Sequence, residues 1–263
     1  MDLGLKGRVA IVAASSTGLG EASALELALE GASVVINGRD EDKLTKAAAE
    51  IRSATGAVVL TVAGDVTEEQ HVASLIAHAK ERFGRIDILV ANAGGPPAGY
   101  FDDFAADDYR RAVELNLIST VNLCRAAVPH MRDNGWGRIV GITSIAAKQP
   151  VENLILSNTT RAAVSGFMKS LADQVASTGI TVNTVCPGFH LTERLLNLTA
   201  KSAAKQGIST EEAIRRLAAN IPANRIGDPK EFAAVVAFLC SERASYVTGT
   251  AIQVDGGVYR ALY

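Results

Sequence analysis

The chain has 263 residues, of which 48% are hydrophobic, 21% charged and 5% aromatic, and its formal net charge is −2. These proportions belong to a globular protein and exclude disorder as the main state. They give no broad basic face for nucleic acid, and too few aromatic rings for a single-strand stacking platform.

Along the chain, short apolar runs alternate with amphipathic stretches. The runs at residues 8–13, 33–37, 58–62, 86–91, 138–142, 181–185 and 251–254 predict seven strands. Most are unbroken rather than alternating, as expected of strands buried on both faces of a parallel sheet. Helical patterns lie between them at 21–30, 42–54 and 68–83. Thr67, followed by Glu68 and Glu69, reads as a helix N-cap, and Gly31 and Gly84 stand where C-terminal cap glycines sit. Strand–helix alternation of this kind predicts right-handed βαβ units in a doubly wound, Rossmann-type α/β sheet with helices on both faces. No linker or internal repeat divides the chain, so residues 1–263 read as one domain. One stretch breaks the alternation. Residues 189–225 hold a helical pattern at 210–219 but no strand, and predict a lid or substrate-selecting segment at the carboxyl edge of the sheet; the alternative is a pair of surface helices.

The first apolar run is too short for a signal-peptide core, and no run reaches the roughly 18 residues that a membrane span needs. Cys124, Cys186 and Cys240 are far apart and show no metal-ligand spacing. With no membrane segment and thiols suited to a reducing compartment, a cytoplasmic location is expected.

The first strand runs into Ala14-Ser15-Ser16-Thr17-Gly18-Leu19-Gly20 and then a helix. Glycines there let backbone approach a pyrophosphate, and the helix N-terminus offers N–H donors and a positive dipole end. Further along come Gly64-Asp65-Val66, Asn92-Ala93-Gly94-Gly95, Leu115-Asn116-Leu117, Gly137-Arg138-Ile139-Val140, Val182-Asn183, Cys186-Pro187-Gly188, Tyr246-Val247-Thr248-Gly249 and Val254-Asp255-Gly256-Gly257. In this order, over nearly the whole chain, these motifs resemble the short-chain dehydrogenase/reductase family in its single-domain form, including its 3-oxoacyl-carrier-protein reductases.

The resemblance implies an oxidoreductase that moves hydride between a nicotinamide and a small carbonyl or alcohol substrate, assembled as a homotetramer or homodimer. It implies coenzyme contacts from Ser16, Thr17, Gly18, Leu19 and Gly20 at the phosphates, and from Asp65 and Val66 at the adenine. Asn92, Ala93 and Gly94 would lie under the ribose and nicotinamide, with Gly188 in the loop beside the nicotinamide and Thr192 touching the carboxamide or the pyrophosphate. The second strand carries no acid at Asn37 or Gly38 for a ribose 2′-hydroxyl, whereas Arg39 can fork onto a 2′-phosphate. NADP is therefore favoured over NAD, although an Arg39 stacked on adenine would suit either.

Three positions depart from the family pattern. Ala14 stands where the phosphate loop begins with glycine, which is costly if the backbone there needs positive φ. Ser144 matches the family serine that polarises the carbonyl, and Asn116 matches the asparagine that supports a water. The tyrosine position, however, is Ser157, and the lysine position is Arg161. A serine hydroxyl is a poor general acid near neutral pH. Arg161 still offers donors for ribose hydroxyls and a positive charge. The missing proton would come from water, a substrate group or His190, whose ordinary pKa suits proton transfer. Tyr100 is a weaker candidate on a loop that could overhang the site. The other histidines, His71, His78 and His130, read as helix-surface residues. Two functional readings follow: a dehydrogenase with an atypical site, or a catalytically inactive nucleotide-binding sensor or partner subunit.

Overall fold

A computed structural model describes residues 1–262. In chain order its elements are β1 (Val9–Val12), α1 (Gly18–Leu29), β2 (Ser33–Gly38), α2 (Glu41–Thr55), β3 (Val59–Ala63), α3 (Glu69–Phe83) and β4 (Ile88–Ala91), followed by α4 (Ala106–Val113). A π-helical turn, Glu114–Ile118, joins α4 to α5 (Ser119–Asp133). Then come β5 (Gly137–Ile142), α6 (Ile155–Val175), β6 (Ile180–Pro187), α7 (Glu193–Gln206), α8 (Thr210–Ala219), α9 (Pro229–Leu239) and β7 (Ala251–Val254).

The seven strands form one parallel sheet in the order β3-β2-β1-β4-β5-β6-β7. Each strand buries alternate residues on opposite faces. In β1, Ile11 joins a core with Leu75 of α3, Leu123 of α5 and Met168 of α6. Its neighbours Ala10 and Val12 join a second core with Leu27 of α1, Leu44 of α2 and Phe232 of α9. This two-sided burial explains the unbroken apolar runs of β1 and β4, whereas β5 and β6 are buried along their whole length while carrying Arg138 and Thr181, Asn183 and Thr184. The edge strands differ: β3 exposes Thr61 and Ala63, and β7 is only half-buried throughout.

Two helix ends depart from the expected capping. The N-cap of α3 is Glu68, without a side-chain cap bond, rather than Thr67. The Thr67 hydroxyl is instead donated to Asp65 Oδ1 at 2.9 Å. Gly84 does close α3 in the left-handed region, whereas the C-cap of α1 is Glu30 and Gly31 follows it at φ 91°. The 189–225 stretch contains two helices, α7 and α8, packed on each other, of which only α8 was visible as a sequence pattern. Among the described residues no helix is long and apolar enough to cross a membrane, and no cluster of His, Cys, Asp and Glu could hold a metal. All three cysteines are buried and free.

Candidate functional site

The strand order reverses between β1 and β4, both of which lead into loops at the same end of the sheet. A crevice outside those carboxyl ends is where this architecture takes its ligands. Ala14 leaves β1 with φ 46°, left-handed for a residue that has a Cβ. Ser15 then anchors the turn, its Oγ donating to Val12 O at 2.6 Å and its N–H to Asn37 O at 2.7 Å. Thr17 caps α1 without using its side chain, so the first-turn N–H groups remain available to an anion. Two glycines make the loop possible. A Cβ on Gly20 would stand 2.3 Å from Ala14 O, and one on Gly38 would stand 2.8 Å from Ser16 Oγ. The Gly18 position lies under Thr192, whose methyl would be 3.6 Å from a Cβ placed there.

The site that the sequence assigns to adenine lies beyond β3. Val66 is buried, and Asp65 Oδ1 accepts the N–H of Thr67 at 3.0 Å. Burial pushes the Asp65 carboxyl up, but the Thr67 N–H and hydroxyl and the Arg39 guanidinium together hold it below the usual range. Arg39 Nη1 lies 3.5 Å from Asp65 Oδ2, with 75% of its side chain exposed. Asn37 does not face this opening. It is buried, and its Nδ2 lies within bonding distance of Val62 O (3.0 Å), Gly64 O (3.2 Å) and His71 Nε2 (2.9 Å). His71 is thus a buttress rather than a surface residue: a Cβ on Gly64 would lie 2.1 Å from its Nδ1. Burial lowers its pKa.

At the other end, Asn92 Nδ2 donates to Ala14 O at 3.1 Å and ties the β4 loop to the phosphate loop. Ala93 is buried, while a Cβ on Gly94 would meet nothing within 4 Å, so that position faces open space. The fully buried Asn116 lies in the π-turn. Its Nδ2 donates to Gly94 O at 2.9 Å, its Oδ1 accepts from Thr160 Oγ1 at 2.9 Å, and its backbone O accepts from Thr120 Oγ1 at 2.7 Å. Arg161 is buried on α6 and donates through Nη1 to Ile142 O at 2.8 Å and through Nη2 to Ala93 O and Gly94 O, both at 3.4 Å. Its guanidinium therefore joins the ends of β4 and β5. Burial, then the nearby Arg194, lowers its pKa to about 10.

Ser157 precedes Arg161 by one turn of α6, so the two share a face. It is buried, and its hydroxyl has no partner among the described residues. Ser144 follows β5 and accepts the Ala146 N–H at 3.0 Å, leaving its own O–H to donate. The structure thus gathers Ser144, Asn116, Ser157 and Arg161 around the ends of β4 and β5.

His190 is placed differently from its companions. It is buried, with its ring 5.5 Å from that of Phe232 in an edge-on arrangement, and a Cβ on Gly227 would lie 3.0 Å from its Nε2. Its Nδ1 has no hydrogen-bond partner, and burial lowers its pKa against the opposing pull of the Gly188 backbone and nearby carboxylates. The ring thus packs toward α9. Thr192 Oγ1 caps α7 by accepting the Leu195 N–H at 3.3 Å. Tyr100 is 55% exposed, and its hydroxyl donates to Glu152 at 3.0 Å, which also raises the phenol's pKa.

The start of α7 reaches both lips of the crevice. Lys43 of α2 lies 3.2 Å from Glu193, and Arg194 donates to Gly95 O and Pro96 O, both at 3.0 Å. Sequence reading missed Arg194, although α7 is amphipathic and buries Thr199 and Ala203. A Cβ on Gly95 would lie 2.2 Å from Arg194 Nη2, so that glycine makes room for the guanidinium.

Comparison with known proteins agrees with this geometry. The family described as Enoyl-(Acyl carrier protein) reductase matches residues 13–259. The NADPH-dependent reductase BacG of Bacillus subtilis is 32% identical over 256 residues, covering 97% of this chain and 99% of that protein. The 3-oxoacyl-[acyl-carrier-protein] reductase FabG of Aquifex aeolicus is 34% identical, covering 98% of this chain and 100% of its own. Among solved structures, L-sorbose reductase from Gluconobacter frateurii complexed with NADPH and L-sorbose superposes with a TM-score of 0.96 at 36% identity, with both chains fully covered.

Proposed function

The chain belongs to the short-chain dehydrogenase/reductase family, and from that premise we propose that it is an NADP(H)-preferring carbonyl reductase whose site uses Ser157 and Arg161 in place of the family's tyrosine and lysine. The observation that carries this reading is the buried Arg161, tied to the ends of β4 and β5, with Ser144 after β5 keeping its O–H free to donate and Ser157 one turn before Arg161 on α6.

The crevice fits a dinucleotide. Its phosphate loop has a positive-φ entry, an uncapped helix N-terminus and glycines that admit no Cβ. Ser16, Thr17, Gly18, Leu19 and Gly20 would hold the pyrophosphate, Asp65 and Val66 the adenine, and Asn92, Ala93, Gly94, Gly188 and Thr192 the nicotinamide half. The exposed Arg39 is free to leave Asp65 for a 2′-phosphate, a pairing that a bare ribose hydroxyl does not offer. When bound, the coenzyme supplies the hydride.

The chain's own groups do the rest. Ser144 donates its O–H to the substrate oxygen and stabilises the charge that develops there. Arg161 has five N–H donors, and those not spent on the three carbonyls can hold ribose hydroxyls. Asn116, locked by Thr160 and Gly94, fixes the loop on which the ribose rests. Ser157 cannot act as the acid itself, because its hydroxyl pKa is far too high. Its free O–H instead orders a water that carries the proton to the nascent alkoxide. His190 is the second candidate donor, and its packing against Phe232 makes water the better one. Assembly as a dimer or tetramer is part of this reading, through the outer face of α6, where Ala162, Ala163 and Gly166 are exposed.

Calorimetric titration with NADPH and NADH, followed by a panel of ketones monitored by loss of NADPH absorbance, tests the reading. NADPH is expected to bind at least tenfold tighter than NADH, and Arg39→Ala to erase the difference. Ser144→Ala is expected to lower turnover by about 10²–10³-fold, the usual effect of losing one oxyanion donor. Tight binding with no turnover across the panel would leave a nucleotide-binding module instead.

A further inference from the structure

Arg194 and Arg161 donate to consecutive stretches of one loop: Arg161 to the carbonyls of Ala93 and Gly94, and Arg194 to those of Gly95 and Pro96. The two guanidiniums are close enough for the charge of Arg194 to act on Arg161. Among the described residues neither has a carboxylate partner. Carboxylates on the flanking segments are engaged elsewhere. Glu193 pairs with Lys43, Glu152 accepts from Tyr100, and Asp255 accepts the N–H groups of Gly257 and Tyr259.

Two neighbouring cations without a counter-charge are unfavourable in a partly desolvated cleft. The cost falls when a ligand brings the missing negative charge. Arg194 is suited to receive it. It is an exposed residue on the first turn of α7, and its fork already rests on the rim of the crevice. Carbonyl oxygens occupy one donor on each terminal nitrogen, which leaves further N–H groups for a carboxylate or phosphate. The hydrogen bonds of Arg194 go to the loop after β4 rather than to the phosphate loop, which places its fork on the substrate side of the rim.

We propose that Arg194, backed by Arg161, is the specificity-determining residue that receives a carboxylate or phosphate carried by the carbonyl substrate, so that the natural substrate is an anionic ketone or aldehyde. This assignment rests on the reductase reading above and narrows its substrate class. Arg194 binds the charged group at the mouth of the crevice, and the reacting carbonyl extends inward toward Ser144.

The test is calorimetry on the protein saturated with NADP⁺, with which ketones cannot react. Acetoacetate, pyruvate and dihydroxyacetone phosphate are compared with methyl acetoacetate, methyl pyruvate and dihydroxyacetone, in the native protein and in Arg194→Met and Arg194→Lys. At least one charged ketone is expected to bind tenfold or more tighter than its neutral counterpart. That advantage should fall below threefold in Arg194→Met and be partly restored in Arg194→Lys. Equal binding of charged and neutral partners by the native protein overturns the proposal and leaves the reductase reading intact. A tenfold loss of NADP⁺ affinity in Arg194→Met also overturns it, assigning the anion to the coenzyme. Failure of the native protein to bind NADP⁺ at all overturns the reductase reading, and this inference with it.

Discussion

Ala14 shows how one atom can be accounted for at the residue scale. At φ 46° its Cβ crowds the backbone, at a cost of about 1–2 kcal/mol relative to a residue without one. The conformation is imposed from outside, because Asn37 Oδ1 accepts the Ala14 N–H at 3.3 Å and Asn92 Nδ2 donates to its carbonyl. Ala14→Gly should therefore stabilise the fold by about 0.5–1 kcal/mol, the relief of strain being offset in part by a freer unfolded chain. A urea-unfolding midpoint that rises at constant slope would show it. Gly20→Ala should act in the opposite direction. Its Cβ would be driven to 2.3 Å from Ala14 O, so coenzyme binding should be lost in calorimetry. The glycine pattern made the loop legible in sequence, and the strain at Ala14 was foreseeable from its position. The roles of Asn37 and His71 were not. They meet across 34 positions of chain, and the patterns of β2 and α3 that contain them say nothing of a bond between the two elements.

At the scale of elements, two junctions hold the site. In the first, Thr160 of α6 lies 2.9 Å from Asn116 Oδ1 in the π-turn and 2.8 Å from Leu156 O. Thr160→Val keeps the shape and strands the Asn116 oxygen in a buried place, which should cost about 1–3 kcal/mol. A lowered melting temperature would show the loss. An accompanying weakening of NADPH binding, larger than that of a control variant equally destabilised elsewhere, would separate a displaced Arg161 from general loosening. The second junction joins β2, β3 and α3 through Asn37 and His71. Donation by Asn37 Nδ2 requires an unprotonated Nε2 on His71, and burial lowers the folded-state pKa of the ring in the same sense. The unfolded chain then takes up the proton first. Stability should be complete above about pH 6.5, the ordinary histidine value, and fall as the pH drops below it. His190 shifts in the same direction. His71→Gln retains an acceptor without titrating, and should remove part of the slope in unfolding free energy between pH 7 and pH 5. These junctions escaped sequence reading for a physical reason. Capping and periodicity report contacts within an element, whereas both junctions are side-chain polar bonds between elements.

For the whole molecule, the alternation of apolar runs and helices was enough to place all seven strands and the sheet's two-sided core, because burial on both faces leaves a continuous apolar signature. The half-buried β3 and β7 departed from it, because edge strands have a neighbour on one side alone, and β6 departed from it through Thr181, Asn183 and Thr184 although it is buried throughout. The crevice at the β1/β4 reversal gives the fold a direct link between ligand and stability. Its walls are contributed by loops after β1, β4, β5 and β6 and by α7, and they touch through few bonds, such as Asn92 to Ala14 and Arg194 to Gly95. A dinucleotide bound across them stabilises only the folded chain. At a concentration one hundred times its Kd, it should add about 2.7 kcal/mol to the unfolding free energy. The thermal midpoint should rise by roughly 5–11 °C with NADPH, taking about 2–4 °C per kcal/mol for a domain of this size. NADH at the same concentration should raise it less, in proportion to its weaker binding, and Arg39→Ala should bring the two curves together. Equal shifts with both coenzymes in the native protein would show that Arg39 serves the adenine rather than a 2′-phosphate.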